Sequence, residues 1–213
     1  MECTLAAVTV PNHVHLMHVT LGGKREEAVF DSGFTRTTIR SHAPGAGEAA
    51  VAEAMAGFLR ALAGPVQWLF LAALAVAARS RRELVVMAAA FFAGECVAVM
   101  AARLAGWQPA PRFVEAAAAL SIAYLAVETL LVPKAGARWL VAGVLGTFHG
   151  LWLLLLIQDA RYHVPLVLTG AAVGQGAVIA GLGWLASRVA PARVVPSTLL
   201  AFGLVWFLIT LRG

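Results

Sequence analysis

The stretch Phe113-Val-Glu115-Ala-Ala-Ala-Ala-Leu-Ser121-Ile-Ala-Tyr-Leu-Ala-Val-Glu128-Thr-Leu-Leu-Val132 decides the class of fold. Its roughly 20 residues have the length of a helix that crosses a bilayer core. A glutamate stands near each end and a serine in the middle. A carboxylate at membrane depth is costly, so it faces the interior of a helix bundle, a partner group or water.

The rest of the chain agrees with that reading. Of 213 residues, 61% are hydrophobic and 13% are charged. A soluble domain is nearer half apolar and a quarter charged. The apolar segments are continuous, whereas the strands of a membrane barrel alternate. The chain therefore reads as an all-α integral membrane protein.

Six apolar segments are expected to be transmembrane helices: Ala54–Ala78, Leu84–Leu104, Phe113–Val132, Trp139–Ile157, Val164–Leu185 and Val195–Leu211. The first is interrupted by Arg60 and Gly64-Pro65. They make residues 48–213 a six-helix bundle. Residues 1–47 read as a short β-rich or disordered tail outside the membrane, with strand-like runs at Thr4–Val10, His13–Leu21, Glu26–Phe30 and Phe34–Ile39. Polar residues and three histidines interrupt residues 1–20, so no secretory signal is expected there.

The net charge of +5 does not point to nucleic acid. The basic residues sit in short loops, where they set topology, and form no patch with interleaved aromatics. Arg79, Arg81, Arg82, Lys134, Arg138, Arg188 and Arg193 follow the first, third and fifth segments. The positive-inside rule puts those loops in the cytoplasm and both termini outside it.

Five segments each carry one polar residue near mid-depth: Gln67, Glu95, Ser121, His149 and Gln175. Separate helices have no local reason to match in this way, and a shared polar centre would explain it. Gln67, Ser121 and Gln175 are equally readable as hydrogen-bonding glue between helices. Glu95 and His149 are ionisable at mid-membrane, which makes them functional candidates by default. With Gln67 they are candidate metal ligands, carboxylate and imidazole being ordinary donors to divalent ions; a structural Glu–His pair is the plainer alternative. Glu115 and Glu128 would stand at the outer and inner mouths of a pathway through Ser121 and Gln175. In the tail, His13, His15 and His18 form a peripheral metal-site candidate, against the plainer reading of a histidine-rich exposed strand.

Motifs of soluble-enzyme chemistry are missing: there is no phosphate loop, dinucleotide fingerprint, Cys-x-x-Cys, His-Glu-x-x-His or Gly-x-Ser-x-Gly. Two cysteines, Cys3 and Cys96, give no disulfide framework. The chain does not read as an enzyme.

Val114-Glu115-Ala116, Ala119-Leu120-Ser121-Ile122, Tyr124, Ala126 and Glu128 resemble the third-helix signature of the HupE/UreJ family of hydrogenase and urease accessory membrane proteins. Residues 57–70 resemble its first-helix block, Phe91–Val97 its second-helix motif, and Gly146-Thr-Phe-His149-Gly150 its Gly-Leu-x-His-Gly motif. Gly170, Gly174 and Gln175 resemble its fifth helix, and Ser197, Gly203 and Trp206 its sixth.

The resemblance implies a bacterial inner-membrane permease for nickel or cobalt, carried as the transported ion and serving metalloenzyme maturation. It also implies metal-binding His and Asp residues on the first, second and fourth helices. This chain has Arg60, Val66 and Gln67 where the first-helix ligands are expected, Glu95 in place of the second-helix histidine, and Ala172 in place of a fifth-helix glutamate. His149, Glu115 and Glu128 keep the family's residues. Metal handling with an altered site is one expectation. A non-transporting accessory protein with a structural polar core, docking a protein partner or a second copy, is the other.

Overall fold

The computed structural model describes residues 2–4, 15–21, 24–30, 36–38, 45–132, 136–188 and 194–212. The chain forms two compact units, Met1–Ala49 and Ala50–Gly213. In the first, strand β1 (Glu2–Thr4) pairs antiparallel with β4 (Arg36–Thr38), and β2 (His15–Leu21) with β3 (Lys24–Phe30). His15 lies opposite Phe30 in the ladder and His18 opposite Glu27. His13, most of the Thr4–Val10 run, and the Ala43–Pro44 part of the linker lie outside the described residues.

The membrane part is all-helical: α1 (Ala46–Ala61), α2 (Pro65–Ala77), α3 (Arg81–Leu104), α4 (Pro111–Leu131), α5 (Arg138–Ala160), α6 (Val164–Ala186) and α7 (Val194–Arg212). Five of these, α3 to α7, are long and apolar enough to cross a membrane. They correspond to the second to sixth apolar segments.

The first segment differs from its reading as a single helix. It is two helices bent by 75° where Leu62-Ala63-Gly64 separates α1 from α2. Pro65 has no backbone N–H and clashes with the preceding turn, so a helix cannot run through it. It suits the first position of a new helix. Gly64 makes the corner at φ +88°, where other residues are strained.

Local chemistry sets other boundaries. Ser80 caps α3 by accepting the Glu83 backbone N–H at 3.1 Å, and the Glu83 carboxylate accepts the Arg79 backbone N–H at 2.7 Å. This reciprocal arrangement is a capping box displaced by one residue at its return bond. Glu53 on α1 accepts the His163 backbone N–H at 2.7 Å and lies 3.0 Å from its ring Nδ1, which ties α1 to the start of α6.

In lipid the hydrophobic effect does not drive helices together; close van der Waals packing does. The tightest seam joins α3 to α5. Gly94 lies against the Gly143 backbone, Gly146 against the Phe91 carbonyl and Gly150 against the Glu95 backbone, with no room for a Cβ at Gly94, Gly146 or Gly150. Around the seam Phe70, Leu74, Met87, Phe91, Ile122 and Leu125 form the main apolar core. Gly146→Ala should therefore destabilise the bundle by about 1–3 kcal/mol through overpacking. Gly181→Ala, where a methyl meets open space, should leave the thermal unfolding midpoint in detergent unchanged. Equal midpoints for the two variants would show that the seam can relax.

Candidate functional site

His149 is the midpoint of α5 and is fully buried. Its ring lies 3.9 Å from the Phe70 ring, centroid to centroid, and 5.6 Å from that of Phe91 in an edge-on arrangement. Nδ1 is 2.6 Å from Oε1 of Gln67, and Nε2 is 3.0 Å from Oγ of Ser121. A carboxamide oxygen only accepts, so Nδ1 carries the proton and donates to Gln67. The neutral ring then offers Nε2 as acceptor to the Ser121 hydroxyl. That hydroxyl also lies 2.6 Å from the Ala118 carbonyl, so its single proton has two acceptors.

Glu95 and Gln175 form a second group. Both are buried, and Gln175 Nε2 donates to Glu95 Oε1 at 2.8 Å. Gln175 Oε1 is buried and has no hydrogen-bond partner among the described residues. The Glu95 backbone abuts Gly150, the neighbour of His149. All five mid-depth residues thus stand at one level, but as two hydrogen-bonded groups. No hydrogen bond joins Glu95 to His149 among the described residues, and there is no cluster of three His, Cys, Asp or Glu side chains among them.

The helix break places Gln67. Ala77, at the far end of α2, accepts a hydrogen bond from Arg138, the first residue of α5. Gln67, in the first turn of α2, meets His149 halfway along α5. Helix α2 has 13 residues, about 20 Å at 1.5 Å per residue, against a hydrocarbon core of about 30 Å. It begins level with the middle of α5. Beside its start is a cavity of about 60 Å³ lined by Gly64, Pro65, Gln67, Glu115, Trp152 and Trp206, among others. That is room for roughly two waters. Glu115 accepts the Trp206 indole N–H at 3.0 Å. Arg60, on the other side of the break, stacks 3.8 Å over the Trp152 ring, and the Trp152 indole donates to the Arg60 carbonyl at 3.3 Å.

Glu128 is buried at the opposite end, with Oε1 3.7 Å from Arg138 Nε. Arg138 also donates to the Ala77 carbonyl and, at 3.2 Å, to the Val132 carbonyl. It closes that end of α2 and α4. From sequence Arg138 read as one of several loop cations, because nothing local distinguishes it from Lys134 or Arg188. Trp206 likewise read only as part of the sixth-helix pattern. Neither partner is near in sequence, so only packing could reveal these roles.

Neither the comparison with curated proteins nor that with solved structures gives a match. Residues 36–169, more than half of the 213, match the model of a family described as HupE / UreJ protein. The match covers α1 to α5 and the start of α6, including His149, Gln67, Glu95, Glu115 and the helix break. With its apolar helices, the chain is a membrane protein that belongs to the HupE/UreJ family.

Proposed function

We propose that this chain is a permease-like protein of the bacterial inner membrane that passes a divalent transition-metal ion, nickel or cobalt, for metalloenzyme maturation. It is not an enzyme. The bent pair α1–α2 serves as the first of six spans, the termini lie outside the cytoplasm, and the amino-terminal unit is an appended β-rich tail. The observation that carries this reading is the break between α1 and α2, level with the middle of α5 and beside a small cavity lined by Gln67 and Glu115. Interrupted helices that meet a polar site near the bilayer midplane are the way many carriers expose backbone and side-chain donors to cargo. Glu115 would receive the ion at the outer mouth, and Gln67 with His149 would take it at mid-depth. The Glu95 carboxylate and the orphan Gln175 Oε1 offer oxygen donors at the same level.

A second reading is a non-transporting accessory protein with a protein partner or a second copy. It is favoured by the neutral partners on both nitrogens of His149 and by the Arg138 cation buried beside Glu128 at the inner end. Proteoliposomes enclosing a nickel-sensitive fluorophore separate the two. The permease should show uptake well above empty liposomes, and His149→Ala and Glu115→Gln should each lower it at least tenfold. Uptake no faster than in empty liposomes, with metal-independent capture of a maturation partner, would establish the second reading.

A further inference from the structure

The groove between α4 and α7 meets the proposed pathway only at Ser121. It has a volume of about 580 Å³ and runs along one face of α4 from Arg112 past Ala116, Ala117 and Leu120 to Tyr124. Phe207, Thr210 and Leu211 of α7 form the facing wall, and Leu145 and Phe148 of α5 contribute to its lining. From Arg112 to Tyr124 is about 18 Å of helix at 1.5 Å per residue. Most of the lining is apolar and opens toward the surroundings of the bundle. In a membrane those surroundings are lipid.

The groove has a polar end. Arg112 is exposed in the first turn of α4, where the unpaired backbone N–H groups of a helix start also favour an anion. Arg212, the last residue of α7, follows Leu211 at the same end and is exposed. No hydrogen bond or ion pair engages Arg112 or Arg212 among the described residues. The nearest acid along α4, Glu115, is taken by the Trp206 indole beside the separate cavity. Arg112 at the mouth of the apolar slot, with the exposed Arg212 next to its lining residue Leu211, complements an amphiphile with an anionic head and a long chain.

We propose that this groove binds an anionic phospholipid, with one acyl chain along α4 and the phosphate between Arg112 and Arg212. Ser121 lines the groove and lies 3.0 Å from His149. The bound chain therefore rests against the group that holds the His149 ring, and it seals that side of the polar centre from water. The α4 side of the groove lies within the residues matched to the family, and the α7 wall lies beyond them.

Native mass spectrometry of the full-length protein, released from nanodiscs containing equal phosphatidylglycerol and phosphatidylcholine, tests this. Phosphatidylglycerol should be retained at least tenfold over phosphatidylcholine. The exposed double substitution Arg112→Gln/Arg212→Gln should remove that preference without changing the thermal midpoint of lipid-free protein. Ala117→Trp, which fills the slot, should abolish retention of both lipids. Equal retention of the two lipids, a preference that survives the double substitution, or a dimer dispersed by Ala117→Trp would each overturn the proposal. The last outcome would mean that a second copy covers the groove. None of these readouts depends on metal transport.

Discussion

Arg138→Ala should cost the membrane bundle about 3–5 kcal/mol, the range expected when one partner of a buried ion pair is removed. Arg138 is only 3% exposed, and its guanidinium serves three groups at once: the Ala77 and Val132 carbonyls and the Glu128 carboxylate. Without it Glu128 is left buried with no cation beside it, and the last turns of α2 and α4 lose a donor. Lysine should rescue poorly, because one ammonium on a flexible stem cannot reproduce the planar fork of donors. Removing the acid as well should recover part of the loss, so Arg138→Leu/Glu128→Leu should be more stable than Arg138→Ala. Reversible unfolding in mixed micelles measures all of these variants. A loss below about 1 kcal/mol for Arg138→Ala would place this pair with surface salt bridges in its energetic effect.

Converting the His149 group to apolar residues should separate architecture from transport. His149→Ala alone strands Gln67 Oε1 in the core, leaves the Ser121 hydroxyl only its Ala118 acceptor, and opens a void between Phe70 and Phe91. Unsatisfied buried groups cost about 1–3 kcal/mol each, and the void adds to this. A total of about 3 kcal/mol is expected. The triple variant Gln67→Leu/Ser121→Ala/His149→Phe removes every polar atom of the group while keeping most of its volume. Replacing a whole polar group by well-packed apolar residues is often close to neutral, so the triple variant should unfold within about 1 kcal/mol of the parent. Its nickel uptake should nevertheless fall to the level of empty liposomes. Uptake that survives would mean that Gln67, Ser121 and His149 serve only as interhelical glue.

The two experiments address opposite ends of one arrangement. Arg138 holds the end where α2 and α4 terminate against the start of α5. The His149 group holds the point where α2 begins. Between them α2 is a short helix pinned at both ends to α5, and its upper end borders the cavity at Glu115. The proposed pathway passes the Gln67–His149 contact, and Trp152 and Trp206 line the cavity beside it.

The amino-acid sequence by itself determined the membrane class, the extents of α3 to α7 and the family. Those features rest on local quantities: the length of apolar runs, the turn-forming residues between them, and the order of motifs such as Gly146-Thr-Phe-His149-Gly150. It also placed Glu95, Ser121, His149 and Gln175 near the middles of their helices, because rise per residue is constant along a helix; Gln67 joins them only because the broken first segment starts α2 beside His149. The tertiary structure decided which of them touch. Helix rotation directs Glu95 to Gln175 and leaves His149 to Gln67 and Ser121, and no count along a single helix contains that angle. Gly64-Pro65 was visible as an interruption, but not the 75° angle of the corner or the packing of α1 on α6, where Gly170 lies against Ala54 and Gly57 against Val167. The role of Arg138 was hidden for the same reason. A loop cation and a buried clamp have the same local sequence, and only the ends of α2 and α4 arriving beside it make the difference.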